Sequence, residues 1–212
     1  MQEIKIIGFD LDGVIVEKKI KISEIKELLE EFQKKREEID VLELLKIAGE
    51  YPFLLQLVKE KEINSEKMKK VKTEGLKLVE EINEAEYPSL AKFLLTSRWW
   101  KSLLFRAQPV KNIEIFRKIC QGRYQVHIIS RRLSSDLPAI KKWLKDNGIE
   151  IKKIHFHLRP NLDISEIEFK KEVVEKNKIE AFYDDLEWVV EKIPRARIFK
   201  SWLQVKRDLN LR

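Results

Sequence analysis

The stretch Ile4-Lys5-Ile6-Ile7-Gly8-Phe9-Asp10-Leu11-Asp12-Gly13-Val14 decides how the rest of the chain is read. Its first half is an apolar run that predicts a buried β-strand. Side chains two apart on a strand share a face, so Asp10 and Asp12 should project together past the strand's carboxyl end. Gly13, lacking a Cβ, permits a sharp turn and a close approach to the backbone. Asp and Gly are also common turn residues, so the motif taken alone fits an ordinary polar turn equally well.

After Val16 the texture changes. Over 18–106 almost every segment reads as helix: Leu28, Leu29 and Phe32 follow Ser23, a candidate N-cap, and Val41, Leu42, Leu44, Leu45 and Ile47 are closed by Gly49. Ser65 opens a long segment ending before Pro88, and a last one holds Leu90, Phe93, Leu94 and Leu95 ahead of Trp99, Trp100 and Phe105. From Pro109 helix and strand alternate. A helix is predicted over 110–120, then a strand over 125–129 running into Ser130-Arg131-Arg132. A helix over 135–147, with Pro138 in its first turn and Gly148 at its end, precedes a strand over 153–156. A helix over 165–176 leads to a strand over 181–183 that ends in Asp184-Asp185, and a strand over 196–199 and a last helix finish the chain. Alternation of this kind predicts an α/β fold, a Rossmann-like parallel sheet with helices on both faces. Residues 1–17 and 107–212 would form that core, and 18–106 an all-helical domain inserted after the first strand.

The chain has 212 residues, enough for one sizeable core and a smaller second lobe. Charged residues make up 37%, mostly intermingled Lys and Glu, a composition typical of thermophilic proteins. The formal net charge of +7 favours anionic partners, but the mixing of signs argues against a dedicated nucleic-acid face. The basic excess over 194–212 reads as a solvated helix. A lone Cys120 excludes an internal disulfide and fits a reducing compartment. No apolar run reaches the ~18 residues needed to span a bilayer, and the first residues read as a strand rather than a signal peptide. A cytoplasmic location without membrane attachment is the expectation.

In a sheet of this class, ligands bind beyond the carboxyl ends of the strands. Three such ends carry polar residues: Asp10 with Asp12, Ser130, and Asp184 with Asp185. Between the last two lies Phe169-Lys170-Lys171. Lys170 is one turn before Val174, whereas Lys171 falls between Glu168 and Glu175 on the wet face, so Lys170 is the better candidate to point inward.

Asp10-Leu11-Asp12-Gly13-Val14, Ser130, Lys170 and Asp184-Asp185, in this order and each at its expected element, resemble the four signature motifs of the haloacid dehalogenase-like (HAD) hydrolase superfamily. The resemblance covers the α/β core, and the helical insert sits where that superfamily places a cap between its first and second motifs. It implies a phosphatase working through an aspartyl-phosphate, with Asp10 as nucleophile and Asp12 as general acid and base. Mg²⁺ would be held by the Asp10 carboxylate, the Asp12 backbone carbonyl and Asp185, with Asp184 acting through water. Ser130 and Lys170 would hold the substrate phosphate; Arg131 and Arg132 directly follow Ser130 and could reach a substrate anion, Arg131 being taken with the phosphate-binding set, unless one of the two simply faces water. The substrate would be a small phosphate monoester. Asp-x-Asp-Gly-Val, Ser-Arg-Arg and Tyr-Asp-Asp look somewhat like the deoxynucleotide-phosphatase branch, and sugar phosphates or phosphoglycolate fit about as well.

A phosphomutase keeps the same motifs and returns the phosphoryl group to substrate. A receiver-type signalling module also groups such residues, but its acidic pair comes first, and a silent phosphate-binding module would have no need for two repelling carboxylates. His127, His155 and His157 lack a fourth partner at zinc-ligand spacing and read as packing or polar satisfaction. Cys120 has no obvious activating base and reads as structural. Trp99, Trp100 and Phe105 read as packing residues at the end of the insert.

Overall fold

In the computed structural model, residues 5–17 and 86–211 are described, together with Glu31, Lys34, Lys35, Asp40, Leu42 and Glu43. The helices expected from Ser23 to Pro88, with their caps Ser23 and Ser65, fall almost wholly outside these residues, as does the side chain of Trp99.

Among the described residues the strands and α-helices are, in chain order, β1 (Ile6–Phe9), β2 (Val16–Glu17), α1 (Pro88–Thr96), α2 (Arg98–Arg106), β3 (Gln108–Pro109), α3 (Glu114–Gln121), β4 (Gln125–Leu133), α4 (Leu137–Asp146), β5 (Ile154–Arg159), α5 (Glu166–Lys176), β6 (Ala181–Asp184), α6 (Glu187–Val190), β7 (Ala196–Ile198) and α7 (Trp202–Asp208), with a 3-10 turn over Ser134–Asp136 before α4. Five strands form one parallel sheet in the order β5-β4-β1-β6-β7. The chain is therefore α/β with a Rossmann-like core, and the strand bearing the acidic motif is its central one. From β1 the chain builds outward to β5 on one side and then to β7 on the other. The order thus reverses around β1, where sheets of this class open a crevice at their carboxyl edge.

The central strands are buried on both faces because adjacent residues serve opposite cores. Ile128 and Tyr183 join one cluster with Phe9, Phe116, Trp143 and Trp202, while Ile129 and Phe182 join the other with Phe169, Val173, Val174 and Ile179. Phe9 packs edge-on against Phe116 at 5.4 Å and tilted against Trp202 at 5.2 Å between ring centroids. Such aromatic pairs contribute about 0.5–1.5 kcal/mol each beyond area burial. Cys120 is buried in this first cluster, and burial pushes its thiol up to about 12.

Several elements differ from their expected lengths. β4 continues four residues past Ile129, and its register with β5 shifts between Ser130 and Leu133. That bulge makes room for two extra residues in the same ladder. The helix expected over 110–120 starts at Glu114, because Asn112 takes a positive φ of 66° that no helix interior admits. α5 begins after Ser165, whose hydroxyl accepts from the Glu168 backbone N–H while the Glu168 carboxylate accepts from the Ser165 N–H, a reciprocal capping box.

The chain divides into two compact units, Met1–Lys18 with Leu104–Arg212, and Lys19–Leu103. In the first, β2 and β3 pair antiparallel, Val16 with Pro109 and Glu17 with Gln108, so the outgoing and returning segments run side by side. In the second, Glu43 satisfies the start of α1 by accepting from the backbone N–H groups of Ser89 and Leu90, each at 3.0 Å. Leu90, Phe93, Leu94, Leu95 and Trp100 are buried there, whereas Phe105 on α2 is largely exposed and does not pack as expected. No helix among the described residues is long and apolar enough to cross a membrane.

Candidate active site

β1 ends at Phe9, and the Asp10 backbone N–H donates to the Tyr183 carbonyl at 2.8 Å, so Asp10 continues the ladder between β1 and β6 for one more residue. The chain then coils tightly. The N–H groups of Ile15 and Val16 donate to the Leu11 carbonyl, and that of Gly13 donates to the Val16 carbonyl at 2.8 Å. Leu11, Val14, Ile15 and Val16 anchor this turn in the core, leaving Asp10 and Asp12 at the carboxyl edge, both buried. Gly13 has a φ of +83°, and a Cβ there would lie 1.9 Å from Oδ2 of Asp185. The Asp185 carboxylate thus rests against the bare backbone of Gly13. This packing is what requires glycine.

Lys170 enters from α5 and is the hub. Its Nζ is 2.6 Å from Oε1 of Glu166, 2.7 Å from Oδ2 of Asp184 and 3.1 Å from Oδ1 of Asp10. Burial works against its charge, but Asp10, Asp184 and Glu166 together hold its pKa well above the usual lysine range. Lys171 is exposed, which resolves the choice between the two lysines by position. Asp184 is tied down at its other oxygen by the Leu186 backbone N–H at 3.0 Å. The Ser130 hydroxyl, fully buried at the end of the regular part of β4, accepts from the Arg132 backbone N–H at 3.3 Å.

Neither of the two arginines that follow faces water. The bulge turns both inward: Arg131 Nη1 is 3.7 Å from Glu166, and Arg132 grips Asp12 with Nε to Oδ2 at 2.8 Å and Nη2 to Oδ1 at 2.9 Å. The site therefore includes charged residues beyond the expected set. Glu166 is 1% exposed yet stays ionised, because although burial raises its pKa, Lys170 and Arg131 outweigh that and hold it below the ordinary value. Its place four residues before Lys170 was the one sequence signal for it. Asp136 and Arg159 are also buried here, Arg159 donating to the Ile164 carbonyl at 2.6 Å and holding the loop before α5. They carried no sequence signal of their own.

The donor set suits a hard cation. Among the described residues, the buried Oδ1 of Asp10 finds no hydrogen-bond partner, its lysine neighbour at 3.1 Å lying outside hydrogen-bond geometry. Burial raises the Asp10 carboxyl well above its usual range, Lys170 opposes this, and Asp184, Asp185 and Asp12 add to it. A divalent cation among these oxygens would relieve that repulsion, and carboxylates with backbone carbonyls suit Mg²⁺. Among the described residues no three His, Cys, Asp or Glu side chains form a ready metal cage. The set implied by the resemblance uses only two side chains directly, Asp10 and Asp185, with the Asp12 carbonyl as third ligand.

The three histidines form a separate cluster on β4 and β5. Nδ1 of His127 is 2.8 Å from Nε2 of His157, and the His127 ring stacks on both His157 and His155 with centroids at 5.0 and 4.7 Å. Gln125 meets the other His127 nitrogen at 3.0 Å. Both ring nitrogens of His127 therefore have polar partners, while His155, exposed, meets it by stacking.

The chain matches no protein-family model and no curated protein. It is similar to several solved structures. One is a HAD-hydrolase from Bacillus subtilis bound to magnesium, at 13% identity and a TM-score of 0.45, covering 99% of this chain and 100% of that one. Another is a haloacid dehalogenase-like family hydrolase from Streptococcus pneumoniae, at 12% identity and a TM-score of 0.49, with coverage of 99% and 100%. A third is an apo phosphoserine phosphatase, at 15% identity and a TM-score of 0.45, with coverage of 93% and 86%.

Proposed function

We propose that this chain is a Mg²⁺-dependent phosphatase of the HAD type, hydrolysing a small phosphate monoester through an aspartyl-phosphate on Asp10. The observation that carries this reading is the buried, unbonded Oδ1 of Asp10, held 3.1 Å from the Lys170 ammonium at the edge where the strand order reverses. A buried carboxylate oxygen that meets an ammonium group but accepts no hydrogen bond is poor structure and a good nucleophile.

The roles are those that the resemblance implies. The Asp10 carboxylate attacks phosphorus, forming an O–P bond as the bond to the leaving oxygen breaks, and the Asp12 carboxyl gives its proton to that oxygen. Asp12, now ionised, takes a proton from water as the water oxygen attacks the same phosphorus, and the Asp10–phosphorus bond breaks to release inorganic phosphate. Lys170 and the Ser130 hydroxyl hold phosphoryl oxygens, with Arg131 supplying further positive charge beside them. The Asp10 and Asp185 carboxylates and the Asp12 carbonyl would hold Mg²⁺, with Asp184 behind them through water. The bound ion supplies charge neutralisation on the transferring group. Residues 18–106 serve as a cap that selects substrate, since the chain leaves and re-enters the core next to the strand end bearing Asp10.

The test is a panel of phosphate monoesters, including nucleoside monophosphates, sugar phosphates and phosphoglycolate, assayed with and without Mg²⁺ for released phosphate. Turnover that requires Mg²⁺ is expected for at least one class. Transfer to a second position of the substrate, with no phosphate released, would replace hydrolase by mutase.

A further inference from the structure

Net stability alone does not account for the Arg132–Asp12 pair. A buried ion pair gains little net stability, because the cost of desolvating two charges offsets most of their attraction. Its purpose has to be sought in orientation. Asp12 sits in a tight turn, and its terminal torsion has a broad, two-fold preference that the backbone does not fix. A bidentate fork removes that freedom, since the guanidinium is planar and rigid and takes both oxygens at 2.8 and 2.9 Å.

We propose that Arg132 is the positioning residue for Asp12, setting the plane of the carboxyl group from which the leaving-group proton is delivered. This rests on the phosphatase reading above. The guanidinium is itself held: Arg132 is 1% exposed, and its Nη1 is 3.8 Å from Asp136, four residues on and just past the end of β4. Its backbone N–H donates to the Ser130 hydroxyl, so one residue bears on two groups of the site. The β-bulge is the device that makes this possible. Ser130 pairs with Leu158 and Leu133 with Arg159, so residues 131 and 132 are extra on β4 and escape strict alternation; both side chains turn inward. The fork also leaves room for chemistry. The fork gives each carboxyl oxygen one N–H, and an oxygen that carries a proton keeps a lone pair for that N–H. Arg132 can therefore hold Asp12 before and after proton transfer.

The decisive readout is leaving-group dependence. Dinitrophenolate departs without a proton, whereas an alkoxide needs one, so kcat/KM for an alkyl phosphate relative to 2,4-dinitrophenyl phosphate measures acid catalysis up to leaving-group departure. Asp12→Asn should lower that ratio by about 10² or more. Arg132→Lys keeps the charge and loses the fork, and should lower the same ratio by about tenfold or more, as expected for a misplaced catalytic group. The two substitutions combined should do no more than Asp12→Asn alone. If Arg132→Lys depresses both substrates equally while Asp12→Asn discriminates between them, the positioning role is wrong and the phosphatase reading stands. If Asp12→Asn does not discriminate either, both fall. Should Arg132→Lys fail to fold by circular dichroism, Asp136→Asn, which loosens the guanidinium from outside, carries the same test with a smaller shift in the same direction. An unchanged ratio in that folded variant overturns the proposal.

Discussion

The ammonium of Lys170 lies 2.7 Å from Oδ2 of Asp184, with both side chains fully buried. Lys170 also faces Asp10 and Glu166, so three buried acids share it as a counter-charge. Removing one partner of a buried pair is far costlier than the pair is worth, about 3–5 kcal/mol, because the other charge is left uncompensated. Lys170→Met should therefore lose about that much stability in urea unfolding, and Mg²⁺ should restore part of it, more than it adds to wild type. A variant as stable as wild type would mean that the acids are compensated elsewhere.

Gly13→Ala joins two penalties. The positive φ costs roughly 1–2 kcal/mol for a residue with a Cβ, and the new methyl would strike the Asp185 carboxylate. The expected outcome is a folded but less stable protein whose Mg²⁺ requirement for phosphate release is raised, since Asp185 must move. Metal titrations of activity check this. An unchanged requirement would place Asp185 outside the metal site.

Asp12 and Asp185 should separate in the same assay. Asp12→Asn should reduce kcat by about 10² to 10⁴, the usual range for general acid–base catalysis, with Mg²⁺ affinity changed far less because the backbone carbonyl remains. Asp185→Asn should act first on the metal, raising the half-saturating Mg²⁺ concentration by about tenfold or more. If both substitutions moved only metal affinity, Asp12 would be a ligand and no acid.

Stability should fall on mild acidification because of His127. Burial, with His157 and His155 adding, lowers its pKa to about 4, and Lys176 acts on His157 in the same direction. The unfolded chain takes up the proton near the ordinary value of ~6.5. Between the two values the unfolded state binds more protons, so stability is fully present above about 6.5 and is lost as pH falls toward 4. The slope from this single proton is at most ~1.4 kcal/mol per pH unit. Urea unfolding from pH 7.5 to 4.5 should show His127→Gln with a flatter dependence than wild type. Parallel curves would contradict the assignment.

Much of the core was legible because it depends on local pattern. Alternation placed Asp10 and Asp12 at a strand end, and helical register chose Lys170 over Lys171. What escaped was long-range. That Arg132 meets Asp12, 120 residues away, depends on a bulge in β4 that nothing in Ser130-Arg131-Arg132 announces. Glu166 stands four residues before Lys170, but that it is a buried counter-charge depends on the loop that Arg159 fixes and on the packing of α5 against β4. Buried charges are rare and defined by partners far along the chain, so composition and periodicity pass over them.

The insert should govern which monoester is used. Arg98, exposed at the start of α2, is the candidate anion contact between Thr96 and Arg106. Arg98→Ala should change the ranking of substrates by kcat/KM across the monoester panel. An unaltered ranking in a folded variant would assign the insert another task.

The central claim is that Asp10 becomes phosphorylated. Acid quenching of the protein within its first turnover with Mg²⁺ and a turned-over monoester, followed by peptide mass spectrometry, measures this directly. One phosphoryl group is expected on the peptide containing Asp10, labile to hydroxylamine and absent in Asp10→Asn, which should also release no phosphate above background. Turnover by Asp10→Asn within tenfold of wild type, or a phosphoryl group trapped on another residue, would contradict it.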